Sequence, residues 1–149
     1  MIQWHWKSFD NLSAKEVYNI LAIRQEVFVV EQDCPYQDAD YLDDRSMHLF
    51  ATNEENQILA YLRVVEPGVK YQEPAIGRVL TSDKVRGQGF GKLLTEKAME
   101  HTAQTYPGQG VRISAQQYLT AFYNSFGFEV VSAPYDEDGI PHIEMLAAN

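Results

Sequence analysis

The sequence predicts an α/β (α+β) fold with elements in the order β-α-β-β-β-α-β-α-β-β. Short apolar runs with strand character recur along the chain. Two longer stretches carry apolar residues at helical spacing, and glycine, proline and acidic turns separate the segments. At 149 residues, the chain is expected to form one domain over 1–149.

Each element has its own signal. Ile2, Trp4 and Trp6 alternate with polar residues, as in a half-buried strand, and both tryptophans read as core, with a place lining an acceptor pocket as the alternative for one of them. Ser13 and Glu16 have capping-box spacing. Val17, Ile20, Leu21, Arg24, Val27 and Phe28 then recur at helical spacing, which predicts a helix to about residue 30. HLFAT and ILAYLRVVE flank NEENQ as a hairpin, and AIGRVLTSD is a fourth strand. GFGKLLTEKAMEHTAQTY is a second helix, ended by Pro107 and Gly108. GVRISAQ is a strand, and QYLTAFYNSFGF a short helix stopped by Gly127. FEVVSAP and PHIEMLA close the chain as strands joined by the acidic turn YDEDGI.

Composition excludes several classes. The chain is 45% hydrophobic and 22% charged, close to the globular average. No apolar run is long enough to span a bilayer, and the first ten residues lack a signal-peptide stretch, so the reading is cytoplasmic with no membrane partner. Cys34 is the only cysteine, which excludes an internal disulfide and a cysteine-based zinc site; no metal is expected. A net charge of −9 argues against nucleic acid, because phosphate binding needs clustered Lys and Arg.

The segment VRGQGFGKLL places three glycines at alternating positions between a strand and a helix. Such a junction presents free backbone N–H groups and the positive end of a helix dipole, which suits a phosphate. Glycine lets the ligand approach the bare backbone, and Lys84, Arg86 and Lys92 add positive charge. The P-loop pattern fails: Arg86 stands where glycine is needed, and Leu93 follows Lys92. The dinucleotide fingerprint fails because Lys92 and Leu94 occupy the third glycine's place.

Arg86-x-x-Gly89-x-Gly91 instead resembles the pyrophosphate loop of the GNAT superfamily of acetyl-CoA-dependent N-acetyltransferases. QQYLTAFYNSFGF (116–128) resembles that family's later motif, with Phe122-Tyr123 and Gly127-Phe128 in place and Gln116 where asparagine is common. RQEVFVVEQDCPY, MHLFA, IGRV and DGIPHIEM look like the ElaA-like branch. The resemblance implies a mixed, mostly antiparallel twisted sheet of about seven strands flanked by helices. It also implies direct acetyl transfer to a primary amine of a small molecule or peptide, with acetyl-CoA as cosubstrate.

By that resemblance, the backbone of Val79, Leu80 and Thr81 bonds the pantetheine arm, and a backbone N–H near Val79 or Leu80 polarises the thioester carbonyl. Arg86, Gly87, Gln88, Gly89, Phe90, Gly91 and Lys92 cradle the pyrophosphate, with Gln116 nearby. Tyr123 matches the general acid. The base is open among His48, Glu66, His142 and Glu144; His142 is selected for its side-chain type and its place on the last strand. A non-catalytic acyl-CoA sensor with the same fold, or a nucleotide binder, would share the loop.

Residues 31–44 carry Glu31, Asp33, Asp38, Asp40, Asp43 and Asp44. They read as a solvated surface loop, with attraction of a cationic amine as the functional alternative. Arg63 and Arg78 sit on predicted strands, where either could pair with a carboxylate in the site, although surface exposure is the default for arginine. The edges of an open sheet allow a homodimer.

Overall fold

The structure is a computed structural model describing residues 1–149. Its strands are β1 (Gln3–Ser8), β2 (Ser46–Thr52), β3 (Ile58–Val65), β4 (Ala75–Thr81), β5 (Val111–Gln116), β6 (Glu129–Val130), β7 (Tyr135–Glu137) and β8 (Ile140–Ala147). They form one eight-stranded sheet in the order β1-β2-β3-β4-β5-β8-β6, with β7 also on β8. All pairings are antiparallel except β4 with β5. The mixed, mostly antiparallel sheet is as expected, with one strand more. The additional strand lies within YDEDGI: Asp138 and Gly139, with φ 52° and 82°, make the tight turn alone. This frees Tyr135–Glu137 to pair with Ile140–His142.

Helix α1 (Ala14–Arg24) starts at the expected capping box. Glu16 N–H donates to Ser13 Oγ at 3.0 Å, and Ser13 N–H donates to Glu16 Oε1 at 2.8 Å. The helix continues as a wider π-helical turn over Gln25–Glu31, which carries Phe28 and Gln32 to the central cleft. Helix α2 (Phe90–Thr105) follows the glycine loop, and α3 (Thr120–Asn124) follows β5.

Strand alternation divides the core between the two sheet faces. Leu49, Ala51, Ala60 and Leu62 pack with Leu94 and Ala98 of α2 and with Tyr123 and Phe128. Phe50, Tyr61 and Leu80 face the other way, onto Ile20 and Val27. Trp4 and Trp6 of β1 are partly buried against α2, stacked on Phe90 and His101 respectively. No helix is long and apolar enough to cross a membrane.

Two histidines make stability depend on pH. His48 is buried; its Nε2–H donates to Asp43 O at 2.9 Å, and its Nδ1 accepts from Tyr61 Oη at 2.7 Å. Burial holds the pKa of His48 and of His101 below the ordinary value. Below about pH 6.5 the unfolded chain therefore binds more protons than the folded one, so stability falls with falling pH. The thermal midpoint is expected to drop between about pH 7 and about pH 5, and His101→Phe is expected to flatten that slope. A midpoint flat across this window in the wild type contradicts the prediction.

Candidate active site

β4 and β5 touch at one register pair, Ala75 with Arg112, and Arg112 N–H donates to Pro74 O at 3.0 Å. Beyond this point the strands splay apart. A cleft of about 360 Å³ opens between them, lined by Ile76, Gly77, Arg78 and Val79 on one side and Ile113 through Gln116 on the other. Both exposed strand edges carry backbone groups without a neighbouring strand.

The β4 edge is shaped by a bulge. Its register on β3 jumps from Gly77–Arg63 to Leu80–Tyr61, so Arg78 and Val79 together face one residue. Arg78 takes φ 53°, a left-handed conformation unusual for a residue with a side chain. Downstream, Ser82 N–H donates to Leu59 O on β3 at 2.8 Å. Backbone direction alternates along a strand, so Leu80 also faces β3 while Thr81 faces the gap. Leu80 is therefore a packing residue, with its side chain in the core beneath α1. Val79 and Thr81 are the residues with backbone at the open edge.

The glycine loop follows β4 at the end of the strand away from its single pair with β5. Gly87 and Gly89 have φ 80° and 83°, and a Cβ on either would project into open space rather than protein. The first N–H groups of α2 have no intrahelical partners, and no acidic side chain occupies its first turn. Loop and helix end thus form an open, electropositive backbone seat for an anion. Of the basic flanks, Arg86 does not point freely at this seat: Nη2 pairs with Glu31 at 2.7 Å, and Nε donates to Thr81 O at 3.2 Å. Lys92 is exposed, with Glu96 at 3.9 Å. Gln116 ends β5 at the cleft, its Nε2 at 3.5 Å from Gln32 Oε1.

Tyr123 enters the cleft from α3. Gly127, at φ 90°, turns the chain so that Phe128 packs edge-on to the Tyr123 ring at 5.9 Å, and Phe122 does so at 5.1 Å. The residue is 7% exposed, and its hydroxyl has no hydrogen-bond partner within the protein. Burial pushes its pKa up to about 12, so at neutral pH it holds its proton and is a donor.

His142 faces the same cleft from β8. Nδ1 lies 2.7 Å from Ile140 O, an acceptor, so it carries a hydrogen. Nε2 lies 3.2 Å from Glu137 Oε2. A proton arriving at Nε2 is shared with that carboxylate, which gives the ring a partner the sequence did not reveal. The other candidate bases lie outside the cleft. His48 is enclosed by its two hydrogen bonds, Glu66 pairs with Arg45 at 2.9 Å, and Glu144 pairs with Arg112 at 3.0 Å.

The acidic segment is not a solvated loop. Arg24 and Arg63 are 0% and 1% exposed, and such cations must be paired. Asp38 accepts from Arg24 Nε at 2.7 Å, Asp43 bridges Arg24 Nη1 at 2.6 Å and Arg63 Nη1 at 2.9 Å, and Asp40 accepts from Arg63 Nη1 at 2.8 Å. Arg78 joins through Asp38 Oδ1 at 2.9 Å and Asp40 Oδ2 at 3.3 Å, and is part-buried rather than at the surface. Burial alone would raise the pKa of Asp40 and Asp43; the arginines outweigh it and hold both below the usual carboxylate range. Of the six carboxylates, Glu31, Asp33 and Asp44 are exposed, and Asp38, Asp40 and Asp43 are drawn into the network.

A family model described as an acetyltransferase (GNAT) domain matches residues 11–148. The chain belongs to the GNAT acetyltransferase family. ElaA of Escherichia coli is 39% identical over 147 residues, covering 97% of this chain and 95% of ElaA. A UPF0039 protein of Synechocystis is 46% identical over 145 residues, covering 97% and 94%. Among solved structures, an acyl-CoA N-acyltransferase from Pseudomonas aeruginosa superposes with TM-score 0.95 at 43% identity, over 99% of this chain and all of that one. E. coli ElaA superposes at TM-score 0.91. The chain is thus a GNAT acyltransferase of the ElaA-like branch, and its splayed sheet is that family's fold.

Proposed function

We propose that the protein is an acetyl-CoA-dependent N-acetyltransferase acting on a primary amine. One observation carries this reading: the glycine loop continues directly from β4, whose Val79 lines the cleft, and Gly91 lies against Phe122, next to Tyr123 in the same cleft. The open space where a Cβ would stand at Gly87 and Gly89 supports a pyrophosphate at the seat. A GNAT acetyltransferase of Elizabethkingia anophelis, solved with acetyl-CoA bound, shares the fold at TM-score 0.65 and 14% identity.

The thioester donor supplies an activated acetyl carbon. The backbone of Val79 and Thr81 holds the arm along the gap, and the Val79 N–H at the bulge stabilises charge developing on the carbonyl oxygen. The amine nitrogen bonds to the carbonyl carbon as the carbon–sulfur bond breaks. Tyr123 gives its proton to the departing sulfur, and His142 Nε2 takes the proton lost by the amine, with Glu137 holding the imidazolium.

The testing experiment is CoA thiol release from acetyl-CoA over a panel of amines. Amine-dependent release is the expected result. Tight acetyl-CoA binding without amine-dependent release across the panel overturns the proposal in favour of a sensor. The seat has its own test. Gly89→Ala forces a Cβ into a left-handed conformation at a cost of about 1 kcal/mol, and is expected to weaken CoA binding. Gly108→Ala, at φ 77° beyond the far end of α2, carries the same strain and should leave the CoA dissociation constant unaltered. Equal effects of the two on CoA affinity count against the seat.

A further inference from the structure

Beyond Tyr123, the cleft is lined by Asp40, Lys70, Arg78, Glu137 and Asp138. Their charges are not equally satisfied. Asp40 is held by Arg63 and Arg78. Arg78 uses Nε and Nη2 on Asp38 and Asp40, and its Nη1 has no partner within the protein. Lys70 makes neither ion pair nor hydrogen bond; its ammonium stands 5.5 Å from the Tyr71 ring centre. Two cationic groups with free donors therefore line a cleft in a protein of net charge −9. The facing hairpin presents Glu137 beside His142.

We infer that the acceptor is an amine that also carries a carboxylate, an amino-acid-like molecule whose carboxylate is held by Lys70 and Arg78 Nη1 and whose amino group faces His142 and Glu137. This rests on the transferase reading and names its second substrate by class. An ammonium without an ion pair, together with a guanidinium nitrogen that still has a free donor, favours a bound anion, and an ammonium–carboxylate hydrogen bond is stronger than a neutral one. A polyamine would bring further positive charge against the same cations. The cleft volume of about 360 Å³ suits a small molecule.

The test pairs each amino acid with its neutral amide, which keeps the amine and removes the carboxylate. Thiol release is measured for both with wild type and Lys70→Met, and thermal stabilisation of the CoA-bound protein is measured with the same pairs. Lys70 is exposed and unpaired, so its replacement spares the fold. The wild type is expected to favour the acid in kcat/KM by about tenfold or more, and Lys70→Met to bring that ratio toward unity. Only the acid is expected to stabilise the CoA complex. Equal turnover of acid and amide, or a preference surviving Lys70→Met, overturns the inference while leaving the transferase. Acid-selective stabilisation that depends on Lys70, without thiol release from any pair, keeps the carboxylate site and overturns the transferase. Neither release nor selective stabilisation overturns both.

Discussion

Tyr123→Phe is expected to lower amine-dependent thiol release by roughly a hundredfold to ten-thousandfold, the range for loss of a positioned general acid. The substitution removes one oxygen and little else. The hydroxyl makes no hydrogen bond within the protein, and the ring contacts with Phe122 and Phe128 survive in phenylalanine. Stability and CoA affinity should therefore stay near wild type while kcat falls. That split separates chemistry from packing: a misfolded site would lose both together. Turnover within a factor of about three of wild type would remove Tyr123 from the proton path.

Asp38→Ala should have the largest effect on stability. The Asp38 carboxylate is 3% exposed and accepts from Arg24 Nε and from the Tyr36 hydroxyl at 2.8 Å, with Arg78 Nε beside it at 2.9 Å. Its loss leaves fully buried Arg24 with Asp43 alone. Breaking a buried pair from one side costs about 3–5 kcal/mol, because a charge remains without its counter-charge. At about 2–4 °C per kcal/mol for a chain of this size, the thermal midpoint should fall by roughly 10 °C. Asp44→Ala, on the same segment but exposed, should change stability by no more than about 0.5 kcal/mol. Similar midpoints for the two variants would refute the network's structural role. The amine-attracting alternative for these carboxylates predicts instead a raised KM at constant stability.

Much of this architecture is legible in the sequence because its signals are local. The Ser13–Glu16 cap, the helical spacing of α1 and α2, and the glycine run each lie within a few residues of one another. The glycine loop and Tyr123 could be singled out as candidates for the same reason: each belongs to a compact motif. The arginine–aspartate network is not local. Arg24, Asp38, Asp40, Asp43, Arg63 and Arg78 come from α1, a loop and two strands, and their types suggest a wet surface until the fold joins them. The bulge is hidden for another reason. A positive φ is announced by glycine or asparagine, whereas this one falls on an arginine followed by a β-branched valine. Glu137 was obscured because YDEDGI reads as one turn, and the two-residue turn within it places Glu137 beside His142.

The single register pair between β4 and β5 has a mechanical consequence. The sheet is two half-sheets, β1 to β4 and β5 to β8, joined by that pair and by the shared apolar layer under α2. A chain laid in the gap and bonded to both edges would act as a splint between the two halves. Amide exchange in β5 and β8 should then slow on ligand binding, even at positions far from the ligand, as two cooperative units become one. On that reading, the tightness of donor binding and the stiffness of the whole sheet would be set by the same missing hydrogen bonds.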